Sequence, residues 1–507
     1  MTKVAIASST QRSADAGAAI ARAGGNAIDT AIAASMVAIT TEPGVCSLGC
    51  GGFITIWPPD GEPVTIDGNI EMPGRGLDPA RLGGGAWKVT LDYGGGIDTY
   101  VGHGSVGTPG GLAAYDAAWK QFGTLPWSDL LQPSIALTRD GFPLSRASHN
   151  YLFHAHELVY GWSPQSHEPL HHADGTLKSP GDTLVLGDLS ASLGEIARYG
   201  ADCFYRGSLA EQIAADSEEH DGVMTARDLA EYQVQVRSPL RIDMNDWSMA
   251  TNPAPAIGGA SLAAMLVLLK KESHCYWDRE LTQRIADIQH RVLMYRFRHL
   301  DKSNELDRDI QKMLETAQTQ GLPLVQGAPS TVHTSVVDSD GLACAITMSS
   351  GYGSGVVPPD TGIWMNNCLG EIELNRKGLN AGPTGMRLAS NMAPTTARHT
   401  DGRTLSIGSP GADRITSALL CTFNNYLRCG MTLDHAIAHP RLHVEINDGD
   451  PRVAYETGLD IRDIKLPLRQ FSEPSMFFGG VGAALLHADG HLQAAADPRR
   501  AGGHAIV

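Results

Sequence analysis

A chain of 507 residues with 42% hydrophobic and 19% charged residues has the composition of a globular protein, neither disordered nor fibrous. The length fits roughly two to four domains or one large interwoven α/β unit. A formal charge of -16, from 39 Lys and Arg against 55 Asp and Glu with no long run of like charge, argues against nucleic acid or an anionic membrane as partner.

No apolar run approaches a membrane span, and the opening MTKVAIASSTQRSADAG carries no apolar stretch of signal-peptide length before a cleavage site. A cytoplasmic location is expected. Eight cysteines spread along a long chain read as reduced thiols. Cys46-x-x-x-Cys50 has no second pair at zinc-finger spacing and reads as two small core cysteines.

In chain order, VAIAS (4–8) predicts a strand, with Ser9 or Thr10 capping a small-residue helix that stops at Gly24-Gly25. Residues 26–40 predict a second helix rich in Ala and Ile. CSLGCGGFITIWPPDGEPVTIDG reads as a Gly-rich turn and a hairpin closed at Asp60-Gly61. Residues 104–145 predict a Gly-rich loop opening a helix, a Gly-Thr-Leu-Pro turn and another helix. Close packing is the favoured role for that loop over anion binding. From 180 to 300 the pattern is mainly helical. His154-x-His156 and His171-His172 lack an obvious third ligand and read as solvated or hydrogen-bonded histidines. Residues 299–330, a charged amphipathic segment and then a Gly/Pro-rich exit, are the linker candidate. Beyond them STVHTSVVDSDGLACAITMSSG, LSIG, RLHVEI, RVAYE and AALLHADGHLQAAA predict strands.

PSTVHTSVV (329–337) alternates as a strand does, but it opens with Ser330-Thr331 after Gly327-Ala328-Pro329. A threonine hydroxyl is a poor nucleophile without a base beside it. A free α-amine on the same residue, with an ordinary pKa near 8, supplies that base. Thr331 gains such an amine only if the Ser330–Thr331 bond is cut. Two readings of these residues stand: a loop entering an edge strand, or a self-cleavage site. Gly408-Ser409-Pro410-Gly411-Ala412, between a strand and a helix, offers amides suited to an oxyanion. Thr347-Met348-Ser349, on the partner strand, offers a hydroxyl opposite Thr331.

The chain resembles the γ-glutamyltranspeptidase family of N-terminal-nucleophile hydrolases along nearly its whole length. GGNAIDTAIAASMVAITTEP, GCGGF, GTPGGLAAYDAAWKQFGTLPWSDLLQPSIALTRDGFP, TVHTSVVDSDG, YGSGVV, TGIWMNN, NMAPT, GSPGADRI and DPRRAGG fall in family order. The resemblance implies an α/β (α+β) fold, a four-layer αββα sandwich. It implies one precursor that cuts itself into a large-subunit region, 1–330, and a small-subunit region, 331–507, together one interwoven catalytic unit. Thr331 then matches the nucleophile, Ser349 the supporting hydroxyl, and Gly411 and Ala412 the oxyanion-hole pair. No metal or organic cofactor is required. The expected partners are a small-molecule substrate and the sister subunit, with a dimer of these left open.

The pocket departs from the family pattern. Ile70 in DGNIEMP replaces the arginine that binds the γ-glutamyl carboxylate, and Ser390-Asn391 replaces a serine pair. Asn367, Cys368 and Glu371 stand in the segment that faces the α-amino group, and the loop near Ser350-Gly351 is shortened. Arg75 and Arg387 are the candidates for a replacement charge. Losing one partner of a buried carboxylate–arginine pair costs about 2–5 kcal/mol. The expected function is a self-processing N-terminal-threonine hydrolase or acyltransferase acting on a non-standard amide or acyl substrate. The alternatives are a true γ-glutamyltransferase or glutathione hydrolase, a carbon–carbon bond hydrolase of a biosynthetic pathway, and an uncleaved non-catalytic homologue.

Overall fold

The first predicted strand forms as β1 (Val4–Ser8), with all five residues buried, because both its edges are taken. The computed structural model describes residues 2–507 except 93–95, 273, 302, 320–330, 376 and 448–449. The other strands of the two large sheets are β2 (Gly51–Trp57), β3 (Val64–Gly68), β4 (Gln235–Arg237), β5 (Leu240–Met244) and β6 (Trp247–Thr251). Then follow β7 (Val332–Asp338), β8 (Ala343–Ser349), β9 (Thr395–His399), β10 (Thr404–Gly408), β11 (Gly482–Leu486), β12 (Leu492–Ala496) and β13 (Gly503–Ile506). The first sheet has seven strands in the order β13-β1-β7-β8-β2-β3-β4, and the second has six in the order β12-β11-β10-β9-β6-β5. Every neighbouring pair in both sheets is antiparallel.

The period-2 alternation of β7 sets the layers. Val332 and Val336 join the helix Ala27–Thr41 in one core, whereas Val337 packs with Ala343, Ala484 and Leu486 between the sheets. On the outer face of the second sheet, Met249, Leu405 and Leu485 pack with the helices Ile257–Leu269, Arg279–Tyr295 and Arg414–Phe423. The result is helix, sheet, sheet, helix: the four-layer sandwich expected.

Local chemistry fixes the ends of the first two helices. Thr10 caps Gln11–Arg22, and the Asn26 side chain accepts from the amides of Ile28 and Asp29 at 2.9 and 3.1 Å. The Asp29 carboxylate accepts in return from the Asn26 amide, a reciprocal cap. All 15 residues of Ala27–Thr41 are buried, as its uniformly small and apolar sequence requires.

Two expectations change. Within the stretch read as mainly helical lie β4, β5 and β6, whose apolar Ile242, Met244, Trp247 and Met249 face the core while Arg241 and Asp243 are exposed. The linker candidate instead contains a helix, Leu306–Thr319, whose Ile310, Met313 and Ala317 are buried in the second core. Its remaining part, 320–330, lies outside the described residues. Among those described, no helix is long and apolar enough to cross a membrane.

Candidate active site

Thr331 lies immediately before β7, 3% exposed. β7 and β8 pair with Val332 opposite Met348 and His333 opposite Thr347, so one further step sets Thr331 opposite Ser349. By the same alternation Thr331, His333 and Ser335 share the face that looks into the gap between the sheets. The start of the strand is tied down by Ser9, whose hydroxyl donates to the His333 carbonyl at 3.2 Å and accepts from its amide at 3.0 Å.

The Thr347 hydroxyl, expected near Thr331, is taken by His333 Nδ1 at 2.8 Å. His333 Nε2 meets the Ser335 hydroxyl at 2.7 Å, and that hydroxyl donates to the Gly482 carbonyl at 3.1 Å. Burial holds the imidazole neutral, its pKa pushed down to about 3. Ser349 therefore remains the hydroxyl across from Thr331. Its oxygen accepts from the Gly351 amide at 3.2 Å.

Thr331, Ser349 and Ala412 line one cavity together with Ile70, Cys368, Glu371, Ser390 and Asn391. Eight positions drawn from widely separated parts of the sequence thus converge. Gly411 adjoins this wall through Ala412, at the amino end of the helix Arg414–Phe423. Ala412 has φ 63°, in the left-handed region, where a side chain costs about 1–2 kcal/mol relative to glycine. A Cβ at Gly411 would meet Gly479 Cα at 2.8 Å, so that position has no room for a side chain.

Asn367 is not among the lining residues. Its Oδ1 accepts from the Tyr352 amide at 2.7 Å, and its Nδ2 donates to Thr99 Oγ1 at 2.9 Å and to the Tyr100 carbonyl at 3.0 Å. Ser330 lies outside the described residues, as does the rest of the exit 320–329.

Ile70 is 1% exposed in an apolar cluster with Met72, Cys368 and Leu388. Gly107 and Gly51 crowd it: a Cβ on Gly107 would stand 2.2 Å from Ile70 Cγ2. The close-packing role expected for the loop at 107–111 has the same geometric footing, since a Cβ on Gly110 would meet the Tyr232 hydroxyl at 1.7 Å. Neither candidate arginine is available to the cavity. Arg75 bonds Glu71 at 2.9 Å and Asp228 at 3.3 Å, and Arg387 bonds Glu71 at 2.5 Å and Asp67 at 3.3 Å.

Several groups near the site were not legible in the sequence. Burial, with Glu373 nearby, pushes the Glu371 carboxyl well above the ordinary range, and burial raises Glu373 to about 7. Arg296 reaches Asn391 from the helical segment that ends near Leu300. On another side Thr331 borders a second cavity with Ser9, Glu42, His333 and Arg500. Glu42, also raised to about 7 by burial, accepts from Ser145 at 2.6 Å and Ser148 at 3.1 Å. Elsewhere His103, Asp216 and His220 come together with ligand-type atoms within 4.8 Å, but His103 Nε2 is already bonded to Asp216 at 2.9 Å. His156 and His171 bond each other at 2.9 Å. Cys46 and Cys50 are buried free thiols.

Two facing antiparallel sheets between helical layers, with a hydroxyl residue at the mouth of a central strand, define the fold class of the N-terminal-nucleophile hydrolases. The family model described as Gamma-glutamyltranspeptidase matches residues 13–507, and the chain belongs to that family. It is similar to the glutathione hydrolase proenzyme of Escherichia coli (strain K12), 29% identical over 97% of this chain and 90% of that protein. It is also similar to the oxamate amidohydrolase proenzyme of Klebsiella pneumoniae subsp. pneumoniae, 27% identical over 96% of this chain and 94% of that one. The cephalosporin acylase from Bacillus halodurans has the same fold, with a TM-score of 0.82 and 23% identity over 99% of this chain and 96% of that chain. The Helicobacter pylori γ-glutamyltranspeptidase covers 61% of this chain and 90% of its own, at a TM-score of 0.51 and 25% identity.

Proposed function

We propose that this member of the family is a self-processing N-terminal-threonine hydrolase or acyltransferase acting on an amide other than an ordinary γ-glutamyl one. The observation that carries the reading is the convergence of Thr331, Ser349 and Ala412 on one cavity whose remaining wall has no arginine of the Ile70 position. In the processing step the Thr331 hydroxyl attacks the Ser330 carbonyl carbon, the C–N bond breaks, and the nitrogen takes up a proton to become an amine. The resulting ester is hydrolysed by water, which leaves a carboxylate on Ser330 and restores the Thr331 hydroxyl.

The products are a large subunit, 1–330, and a small subunit, 331–507. They stay together without the peptide bond, because β7 and β8 lie between β1 and β2 in one sheet. In turnover the freed amine of Thr331 accepts the hydroxyl proton as the oxygen attacks the substrate carbonyl, with Ser349 supporting the transfer. The amides of Gly411 and Ala412, at a helix amino end, hold the oxyanion, a contribution of about 2.7–4 kcal/mol per donor in comparable sites. Water or an amine then resolves the acyl-enzyme.

The kinship with proteins named for glutathione, oxamate and cephalosporin supports amide chemistry of this type without selecting one substrate. Ile70 in its apolar cluster favours a changed substrate over γ-glutamyl recognition. The test is acylation: incubation with a panel of anilides, followed by peptide mass mapping. Release of aniline with a transient acyl adduct on Thr331 is expected. Adducts elsewhere, or release undiminished in Thr331→Ala, would overturn the reading.

A further inference from the structure

Six of the eight cysteines are buried, and the two half-exposed ones, Cys275 and Cys429, lie together although 154 residues separate them in sequence. Cys275 stands in the connection between the helices Ile257–Leu269 and Arg279–Tyr295. Cys429 ends the helical segment Asn424–Arg428, which continues the helix Arg414–Phe423 beyond Ala412. Its Sγ meets the Cys275 carbonyl oxygen at 2.5 Å, and the two thiols are hydrogen-bonding neighbours. Both are free thiols in this structure.

Bonds other than the sulfurs hold these two segments against each other. Arg428 Nη2 donates to the carbonyls of Glu272 at 2.5 Å and His274 at 3.2 Å, before Cys275. After it, Trp277 Nε1 donates to Asn425 Oδ1 at 2.5 Å. Asn424 Nδ2 donates to Cys429 Sγ itself at 3.5 Å. A disulfide needs Cα atoms about 4.4–6.8 Å apart, a separation that the backbones decide. Here the backbone is clamped on both sides of Cys275 and along the turn that precedes Cys429, so closure asks chiefly for rotation of two side chains. Their partial exposure gives a small oxidant access that the six buried thiols lack.

We propose that Cys275 and Cys429 form a reversible disulfide when the surroundings become oxidising and, resting on the self-processing reading above, that this bond ties the large subunit to the small one. A cut between 330 and 331 leaves Cys275 on the first chain and Cys429 on the second. Without the bond, the subunits are joined by non-covalent contacts alone. With it, their separation requires a reductant.

The oxidant is a low-molecular-weight disulfide. Burial, and then the Cys275 thiol beside it, pushes the Cys429 thiol up to about 12, so Cys275 opens the exchange. The Cys275 thiolate attacks one sulfur of the oxidant, the S–S bond breaks, and one small thiolate leaves. Cys429 then gives up its proton, its sulfur attacks Cys275 Sγ in the mixed disulfide, and the second small thiolate leaves. The protein loses two hydrogens, and the oxidant is reduced to two thiols.

The experiment treats the full-length wild-type protein with oxidised mercaptoethanol, which has no amide for the active site to cleave. The reagent is removed, the protein is alkylated under denaturing conditions, and non-reducing electrophoresis is run beside peptide mass mapping. Expected are the loss of two of the eight thiols from alkylation, a linked peptide pair joining 275 to 429, and one band that reductant splits into two. Cys275→Ser and Cys429→Ser are each expected to abolish the linked pair, with melting temperatures under reductant checked alongside. In Cys429→Ser the reagent is expected to remain on Cys275 as a mixed disulfide. Alkylation of all eight wild-type thiols, a wild-type mixed disulfide that never closes, or a link that persists in either serine variant would overturn the proposal. A 275–429 link in a chain never cut between 330 and 331 would contradict the self-processing reading and leave the disulfide standing. A cut protein in which both thiols stay free would overturn the disulfide alone.

Discussion

Ser349 stands opposite Thr331 across the first step of the β7–β8 pair, one residue beyond the paired Val332 and Met348. Both side chains line the same cavity, while Thr347, two residues before Ser349, is bonded to His333. Removing the Ser349 hydroxyl should slow the chemistry at Thr331 without unfolding the protein. Ser349→Ala is expected to slow self-cleavage about 100-fold, and Ser349→Thr to retain most of the rate, as followed by intact mass over time.

His333 makes the gap between the sheets intolerant of added volume at Gly408. A Cβ there would stand 2.2 Å from the imidazole Cε1. Gly408→Ala is expected to destabilise the fold by about 1–3 kcal/mol, measured by urea unfolding. A simultaneous His333→Ala change should recover part of that loss.

Glu42 gives a pH signature with a defined sign. Its folded-state pKa is raised to about 7 by burial, above its unfolded value, so its contribution is fully present below about pH 4.5 and lost as pH rises through about 7. Glu42→Gln keeps the shape and cannot ionise. Relative to wild type, the variant is therefore expected to gain about 3 kcal/mol of stability between pH 4.5 and pH 8. Urea midpoints at the two pH values check this. A gap between the two proteins that does not change with pH would contradict it.

Restoring an arginine at position 70 should not restore γ-glutamyl hydrolysis. Ile70 packs with Met72 and Leu388 and is crowded by the backbones at Gly51 and Gly107, so a guanidinium there would displace close-packed atoms and be buried in a largely apolar cluster. Ile70→Arg is expected to cost about 3 kcal/mol or more of stability and to leave γ-glutamyl anilide turnover no higher than in wild type.

Much of this architecture is visible in the sequence because it is set by local pattern. The alternation of 332–337, the cap at Thr10 and the Gly-rich entries to helices each carry their own signal within a few residues. β5 and β6 were hidden because they are short and carry Arg241 and Asp243 among apolar residues, between long helical stretches. The amphipathic segment 306–319 looked like a linker because its charged face dominates the composition, while its three core contacts are made with distant elements. At the site, eight positions placed by the family order of the motifs, several of them despite a changed residue type, converge on one cavity. What position alone does not carry is the use of each polar atom. Asn367 is spent on Tyr352, Thr99 and Tyr100, Arg75 and Arg387 on carboxylates, and Arg296 on Asn391, all through contacts between residues far apart in the chain.

The central claim is that Thr331 becomes an amino terminus by its own chemistry. Intact mass measurement of the purified protein under denaturing conditions, beside Thr331→Ala, tests it most directly. Two species divided between residues 330 and 331 are predicted for wild type and a single chain for the variant. A wild-type chain that stays whole on long incubation, or a Thr331→Ala chain cut at the same bond, would contradict the account.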